Sequence, residues 1–162
     1  MTVSFNPVSK DEKHILQNLY SLYLHDLSEF TEGLDISTDG SFEFDSFELI
    51  WKEEGLTPYF LKKDMKIAGF LLLLERPFLN KDYDYSINDI FILKKYRRKG
   101  TAITLLKELF KHKKGSYFVV QLANNIPAVI FWRKIFSELS IDFEEKKQIV
   151  DNEECLVQSF QI

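Results

Sequence analysis

At 162 residues, with 45% hydrophobic and 28% charged residues, the chain has the composition of a globular protein and the length of one domain spanning 1–162. A single cysteine excludes an intramolecular disulfide and a multi-thiolate zinc site, and three histidines outside any HExxH spacing argue against a metal centre. The formal net charge of −4 suggests no globally attractive surface for nucleic acid.

Residues 1–10 lack a basic stretch followed by an apolar one, so no secretory signal is expected. The longest apolar run, near 67–74, is far short of the ~20 residues a membrane-spanning helix needs. Cytoplasmic residence is the default that follows. Cys155, in an apolar run near the end, reads as a core thiol.

Residues 3–8 suggest a short first strand. Ser9 then precedes Asp11 and Glu12 as an N-cap precedes an acidic first turn, and Ile15, Leu16, Leu19, Leu22, Tyr23, Leu27 and Phe30 recur at helical spacing. Residues 33–40 form an acidic loop, and 45–51 a short second helix closed by Gly55. After Pro58, residues 59–62 and 66–75 read as a hairpin turning at Lys63 and Asp64. A loop over 80–84 leads to a strand over 85–93. Residues 101–110 are helical and end before Gly115; 117–122, β-branched and aromatic, read as a central parallel strand. Pro127 opens a short helix to about 135. Residues 140–143 and 155–162 look like a final antiparallel pair separated by a charged stretch over 144–154. The order predicts an α/β (α+β) fold: a mixed, mostly antiparallel sheet flanked by helices.

The segment with chemical content runs from Asn88 to Ala102. A strand leads into Lys94, Lys95, Arg97, Arg98 and Lys99, then Gly100, then a helix N-terminus. Unpaired backbone N–H groups at such a terminus can cradle a phosphate, and Gly100 permits close approach. Neither a Walker A motif nor GxGxxG is present. A solvated basic loop is the plainer reading of these residues.

Arg97-x-x-Gly100-x-Ala102 resembles the acyl-CoA-binding signature of the GCN5-related N-acetyltransferase (GNAT) superfamily, Gln/Arg-x-x-Gly-x-Gly/Ala. Asn125-x-x-Ala128-x-x-Phe131-Trp132-Arg133-Lys134 resembles its later Asn-x-x-Ala-x-x-Phe/Leu-Tyr-x-Lys segment, and the strand from Ile87 to Ile92 its Glu-Asp-Leu-Tyr/Phe-Val strand. The resemblance implies a single GNAT-like domain with a splayed parallel strand pair. It implies acetyl-CoA as co-substrate and direct transfer to a primary amine in a ternary complex. By it, the amides of Arg98, Lys99, Gly100, Thr101, Ala102 and Ile103 would hold the CoA pyrophosphate, with side-chain help from Arg97, Arg98 or Lys99. The backbone at Ile90, Phe91 and Ile92 would pair with the pantetheine arm. Asn125, Phe131 and Trp132 would lie beside it, Asn125 reading equally as a helix cap.

A base must take the amine proton. Asp89, on the thioester-bearing strand, is the first candidate and Glu75 the second; each also reads as structural. The N–H of Phe91 or Ile92 would stabilise the carbonyl oxygen. The sequence departs from the pattern at Asn88, where relatives often carry Glu, at Trp132, where many have an acidic tyrosine, and at Phe136, where a glycine often follows. An indole N–H donates a hydrogen bond but is no useful acid. The alternative function is therefore a weak or inactive acyl-CoA-binding domain with a sensing or interaction role. Glu29, Glu32, Asp35, Asp39, Glu43, Asp45 and Glu48 suggest a rim for a cationic acceptor, a small-molecule or peptide amine. No nucleic-acid or membrane partner and no metal is expected; the protein would be a monomer or homodimer.

Overall fold

In the computed structural model, which describes residues 2–80 and 82–162, the chain runs β1 (Val3–Pro7), α1 (Lys13–Ser28), α2 (Leu49–Lys52), β2 (Leu56–Lys63), β3 (Lys66–Leu74), β4 (Tyr85–Ile92), α3 (Thr101–His112), β5 (Ser116–Leu122), α4 (Ile126–Glu138), β6 (Phe143–Val150) and β7 (Glu153–Gln161). Met1, at the head of the segment read for a targeting signal, and Lys81, inside the loop expected over 80–84, lie outside the described residues. The strands form one seven-stranded sheet in the order β1-β2-β3-β4-β5-β7-β6. Every neighbouring pair is antiparallel except β4 and β5. This is the expected mixed fold with a parallel pair. No helix among the described residues is long and apolar enough to cross a membrane.

Period-two alternation divides the sheet into two apolar faces. Tyr59, Leu61, Leu71, Leu73, Ile87 and Val119 point to one face, covered by α3 and α4 through Leu105, Leu106, Leu109, Trp132 and Phe136. Phe60, Phe70, Leu72 and Phe91 point to the other, covered by α1 and α2 through Leu16, Leu19, Tyr20 and Ile50. Leu16 and Leu106 are wholly buried, and each such side chain contributes about 1.5–3 kcal/mol over leaving it in water.

Three boundaries differ from expectation. The charged stretch over 144–154 is not a connection: most of it is β6, paired with β7 across a turn whose Asp151 and Asn152 take φ of 50° and 65°. β6 is the sheet's outer strand and faces solvent on nearly its whole length, so charged residues fill positions where a buried strand would alternate. The last helix runs beyond 135, to Glu138. Pro58, taken as a boundary, lies inside β2.

Candidate active site

β4 and β5 pair only at Tyr85↔Tyr117 and Ser86↔Phe118. Beyond Ser86 they separate, leaving one edge of β4 unpaired. The gap opens into a cleft of about 660 Å³ walled by β4, β5, the start of α4, the end of α1 and the β6–β7 turn. That volume suits a cofactor-sized ligand, for which ~300–1,000 Å³ is usual.

The direction of the β4 peptide groups follows from its partner. Leu93 donates its amide to the Ala68 carbonyl, and a Cβ on Gly69 would fall 1.8 Å from the Phe91 carbonyl oxygen. Phe91 and Leu93 therefore turn their polar groups to β3, and by alternation Ile90 and Ile92 turn theirs to the gap. Arg97 Nε reaches the Ile92 carbonyl at 2.6 Å from that side. Of the two oxyanion donors expected, Ile92 N–H faces the cleft; Phe91 N–H is committed to the β3 ladder and is corrected on that ground. A register shift between Leu72 and Leu73 leaves Asn88 as the extra residue of a bulge, exposed at the cleft.

At the open end of the gap, Gly100 caps α3 with φ 74°, a left-handed conformation that suits glycine. No side chain caps this terminus, and the first intrahelical bond is Thr104 N–H to the Gly100 carbonyl at 3.1 Å. The amides of Thr101, Ala102 and Ile103 thus have no partner within the helix. The space a Gly100 side chain would occupy is empty apart from Ile103, 3.9 Å away. Arg98, Lys99, Lys94 and Lys95 are exposed around it. The Thr101 hydroxyl is buried and unpartnered. Arg97 is spent elsewhere: besides Ile92 it binds Asp26 of α1 at 2.8 Å and lies 5.5 Å over the Phe91 ring.

Asp89 is brought to the cleft, on the α1 face. Tyr20 and Tyr23 donate their hydroxyls to its two oxygens at 2.8 and 2.9 Å, and Asn88 Nδ2 donates at 3.1 Å. Burial raises its pKa, and the three hydrogen bonds only partly offset that. Burial, then the neighbouring Asp89 charge, holds both phenols well above the ordinary tyrosine value. A carboxylate has about four lone-pair sites, so one remains free.

Glu75 is not brought there. It sits past the end of β3, accepting from Thr57 at 2.8 Å and pairing with Lys113 of α3 at 3.2 Å. Leu74 faces Ser86, where β4 and β5 are still joined, and Leu72 faces Asp89. Three residues of strand, roughly 10 Å, therefore separate Glu75 from the Asp89 level. As a catalytic candidate it is corrected: its carboxylate is anchored at the closed end of the sheet.

Asn125 caps α4, its side chain accepting from Ala128 N–H at 3.2 Å, and it also lines the cleft. The helix-cap reading is therefore observed, and the side chain's place on the cleft wall leaves it open to a ligand there. Trp132, 4% exposed, lines the cleft from α4. Phe131 does not reach it and packs edge-on against Trp132 at 5.3 Å. Of the acidic rim, only Glu29 lines the cleft, beside Asp26 and Asp89. Glu32 lines a neighbouring hollow, Asp39 folds back onto Ser37 and Ser41, Glu48 pairs with Lys13, and Asp35, Glu43 and Asp45 are exposed outside the cleft lining. Asp151, in the β6–β7 turn, supplies an acid that sequence reasoning missed because the turn was not located. Tyr20, Tyr23 and Gln121 were missed as well. The signal for Gln121 was its polarity in an otherwise apolar strand.

Residues 16–137 match the model of the acetyltransferase (GNAT) family. No curated protein sequence matches the chain. Among solved structures the chain is similar to a GNAT-family acetyltransferase from Streptococcus agalactiae, at 14% identity over 99% of this chain and 95% of that one, with a TM-score of 0.70. It is similar to the ribosomal-protein-S18-alanine N-acetyltransferase of Escherichia coli at 12% identity, over 99% and 94%, with a TM-score of 0.58. It is also similar to Arabidopsis thaliana NAA60 in complex with acetyl-CoA, at 12% identity over 99% and 100%, with a TM-score of 0.58. At these identities the likeness is one of fold.

Proposed function

Since the chain belongs to the acetyltransferase (GNAT) family, whose co-substrate is acetyl-CoA, we propose that it transfers an acetyl group to a primary amine with both substrates held together in the β4–β5 cleft. One observation carries the reading: the unpaired edge of β4 leads to an uncapped, glycine-led helix N-terminus. Those residues fit acetyl-CoA. The amides of Thr101, Ala102 and Ile103 would hold the pyrophosphate, since a helix N-terminus offers free donors and a positive dipole end. Exposed Arg98 and Lys99 would add charge. The gap-facing groups of Ile90 and the N–H of Ile92 would bind the amide-bearing arm and the acyl oxygen.

Bound acetyl-CoA supplies a thioester whose carbonyl carbon is open to an amine, with a thiolate as leaving group. The rest falls to the chain. Ile92 N–H donates to the carbonyl oxygen as its charge develops. Asp89 takes the amine proton on its remaining lone pair; its raised pKa brings it nearer to the range a base needs. Glu29 and Asp151, without ion-pair partners among the described residues, give the entrance a negative potential suited to a cationic amine. Trp132 excludes water from the cleft wall and supplies no proton. The acceptor named for the Escherichia coli neighbour is a protein alanine; a small cationic amine or a peptide amine suits this entrance.

Calorimetry with acetyl-CoA tests the reading. Wild type should bind, and Gly100→Glu, which puts a carboxylate and a strained left-handed side chain at the N-terminus of α3, should lose affinity by at least about tenfold, or 1.4 kcal/mol. Equal affinity in a folded variant would refute it.

A further inference from the structure

Gln121 is, among the described residues, the cleft-lining side chain whose polar atoms are buried and unpaired. It is 6% exposed, and neither its Oε1 nor its Nε2 has a hydrogen-bond partner. Buried polar groups are nearly always satisfied, so an amide idle at both ends marks a place where a partner arrives. An apolar residue would be the ordinary occupant of this strand position.

Its place in the fold restricts what that partner is. Alternation along β5 puts Gln121 on the face of Tyr117 and Val119, the face covered by α3 and α4. The Asp89 carboxylate, bound by Tyr20 and Tyr23 of α1, lies on the opposite face. Counting up both strands from the last pair, from Ser86 to Asp89 and from Phe118 to Gln121, sets Gln121 across the gap from the Asn88–Asp89 bulge. It therefore meets a molecule running down the gap from the N-terminus of α3, and not one entering past α1.

The chemistry of the amide narrows the choice further. Oε1 needs a donor and Nε2 an acceptor. A phosphate or a thioester carbonyl offers only acceptors and an ammonium only donors, whereas a secondary amide offers one of each. We propose that Gln121 is a positioning residue for the co-substrate: its side-chain amide pairs with a secondary amide of the pantetheine arm, Nε2–H donating to the arm's carbonyl and Oε1 accepting from the arm's N–H. The inference rests on the acetyl-CoA reading above and adds to it a residue that fixes how deep the arm sits.

The test compares wild type with Gln121→Met, which keeps length and loses both polar atoms. Each is titrated by calorimetry with acetyl-CoA and with adenosine 3′-phosphate 5′-diphosphate, which carries the phosphates and no arm. The expected result is an acetyl-CoA Kd raised about tenfold in the variant, with the nucleotide Kd changed by less than about twofold. The melting temperature without ligand should stay level or rise, because an unsatisfied amide has been removed. In wild type, the assigned side-chain NH2 resonances of Gln121 should shift on adding acetyl-CoA and stay in place on adding the nucleotide; this measurement stands even if the variant does not fold. An unchanged acetyl-CoA Kd overturns the inference and leaves the acetyl-CoA reading standing. So does a lowered melting temperature with both ligands weakened alike, which would assign the amide to water or to Gln158 on neighbouring β7, whose Oε1 is also buried and unpaired. Wild type binding neither ligand removes the acetyl-CoA reading and this inference with it.

Discussion

Changing Tyr20 or Tyr23 to phenylalanine isolates the hydroxyls that hold Asp89. The Tyr20 ring sits among Tyr23, Phe44, Phe47 and Phe70 at centroid distances from 4.4 to 6.0 Å, and phenylalanine keeps all of these contacts. Each change then removes one hydrogen bond to an ionised acceptor, of 2.8 Å for Tyr20 and 2.9 Å for Tyr23. Such bonds contribute about 1.5–3 kcal/mol, against about 0.5–1.5 kcal/mol when both partners are neutral. The sign of the pH dependence follows. The folded pKa of Asp89 is raised above 3.8, so the native state binds more protons between 3.8 and the folded value, and its stability falls as pH rises through that window. Losing a donor raises the folded pKa further, so the penalty deepens on the alkaline side. Urea unfolding at pH 7 should therefore show each variant less stable by about 1.5–3 kcal/mol, shrinking to about 0.5–1.5 kcal/mol below the window. The double variant should cost less than the sum, since both hydroxyls share one carboxylate. If Asp89 takes the amine proton, the acid limb of kcat/KM moves to higher pH in both. A loss under about 0.5 kcal/mol at pH 7, or one equal at both pH values, would refute the description of Asp89 as a half-buried anion held by two phenols.

Trp132→Tyr should keep turnover within a few-fold and add no alkaline limb near the phenol range, since the indole shapes the cleft and gives no proton; a clear gain with a new basic limb would show that an acid had been missing. Glu75→Gln should leave kcat/KM unchanged, because its carboxylate lies away from the cleft. Burial lowers the Lys113 pKa, but pairing with Glu75 outweighs it, so the net shift is upward. The ion pair is half-buried but still open to solvent, so its contribution, on the order of 1 kcal/mol, is present at neutral pH and lost as pH rises through the lysine range, as unfolding at both ends should show.

Elements with strong local signals were readable because one face of each is buried. The helix behind Gly100, with Leu105, Leu106, Leu109 and Phe110 inward, has its C-terminal end only two residues from expectation. The strand over Ser116–Leu122 was clear from its β-branched and aromatic run. β6 was missed because an edge strand exposed on both faces has no apolar period to show. In the site, Gly100, Ala102, Asn125 and Trp132 were legible as a spaced motif. The Tyr20–Tyr23–Asp89 network was not, since it joins residues 69 and 66 positions apart that only the packing of α1 on the sheet brings together. Sequence ranked Asp89 ahead of Glu75 by strand position alone; the point at which β4 leaves β5 shows how far apart the two lie. Arg97 was expected at the phosphates, and its commitment to Ile92 and Asp26 depends on where α1 ends.

Amine-dependent acetyl transfer is read from release of CoA thiol from acetyl-CoA across a panel of cationic small amines and peptide N-termini, with product mass followed in parallel. Amine-dependent release is predicted, with the acetylated amine formed in step and with loss of both in Asp89→Asn while acetyl-CoA affinity is retained. Tight acetyl-CoA binding with no release above the amine-free rate, across the whole panel, would contradict it and leave a binding domain without transfer.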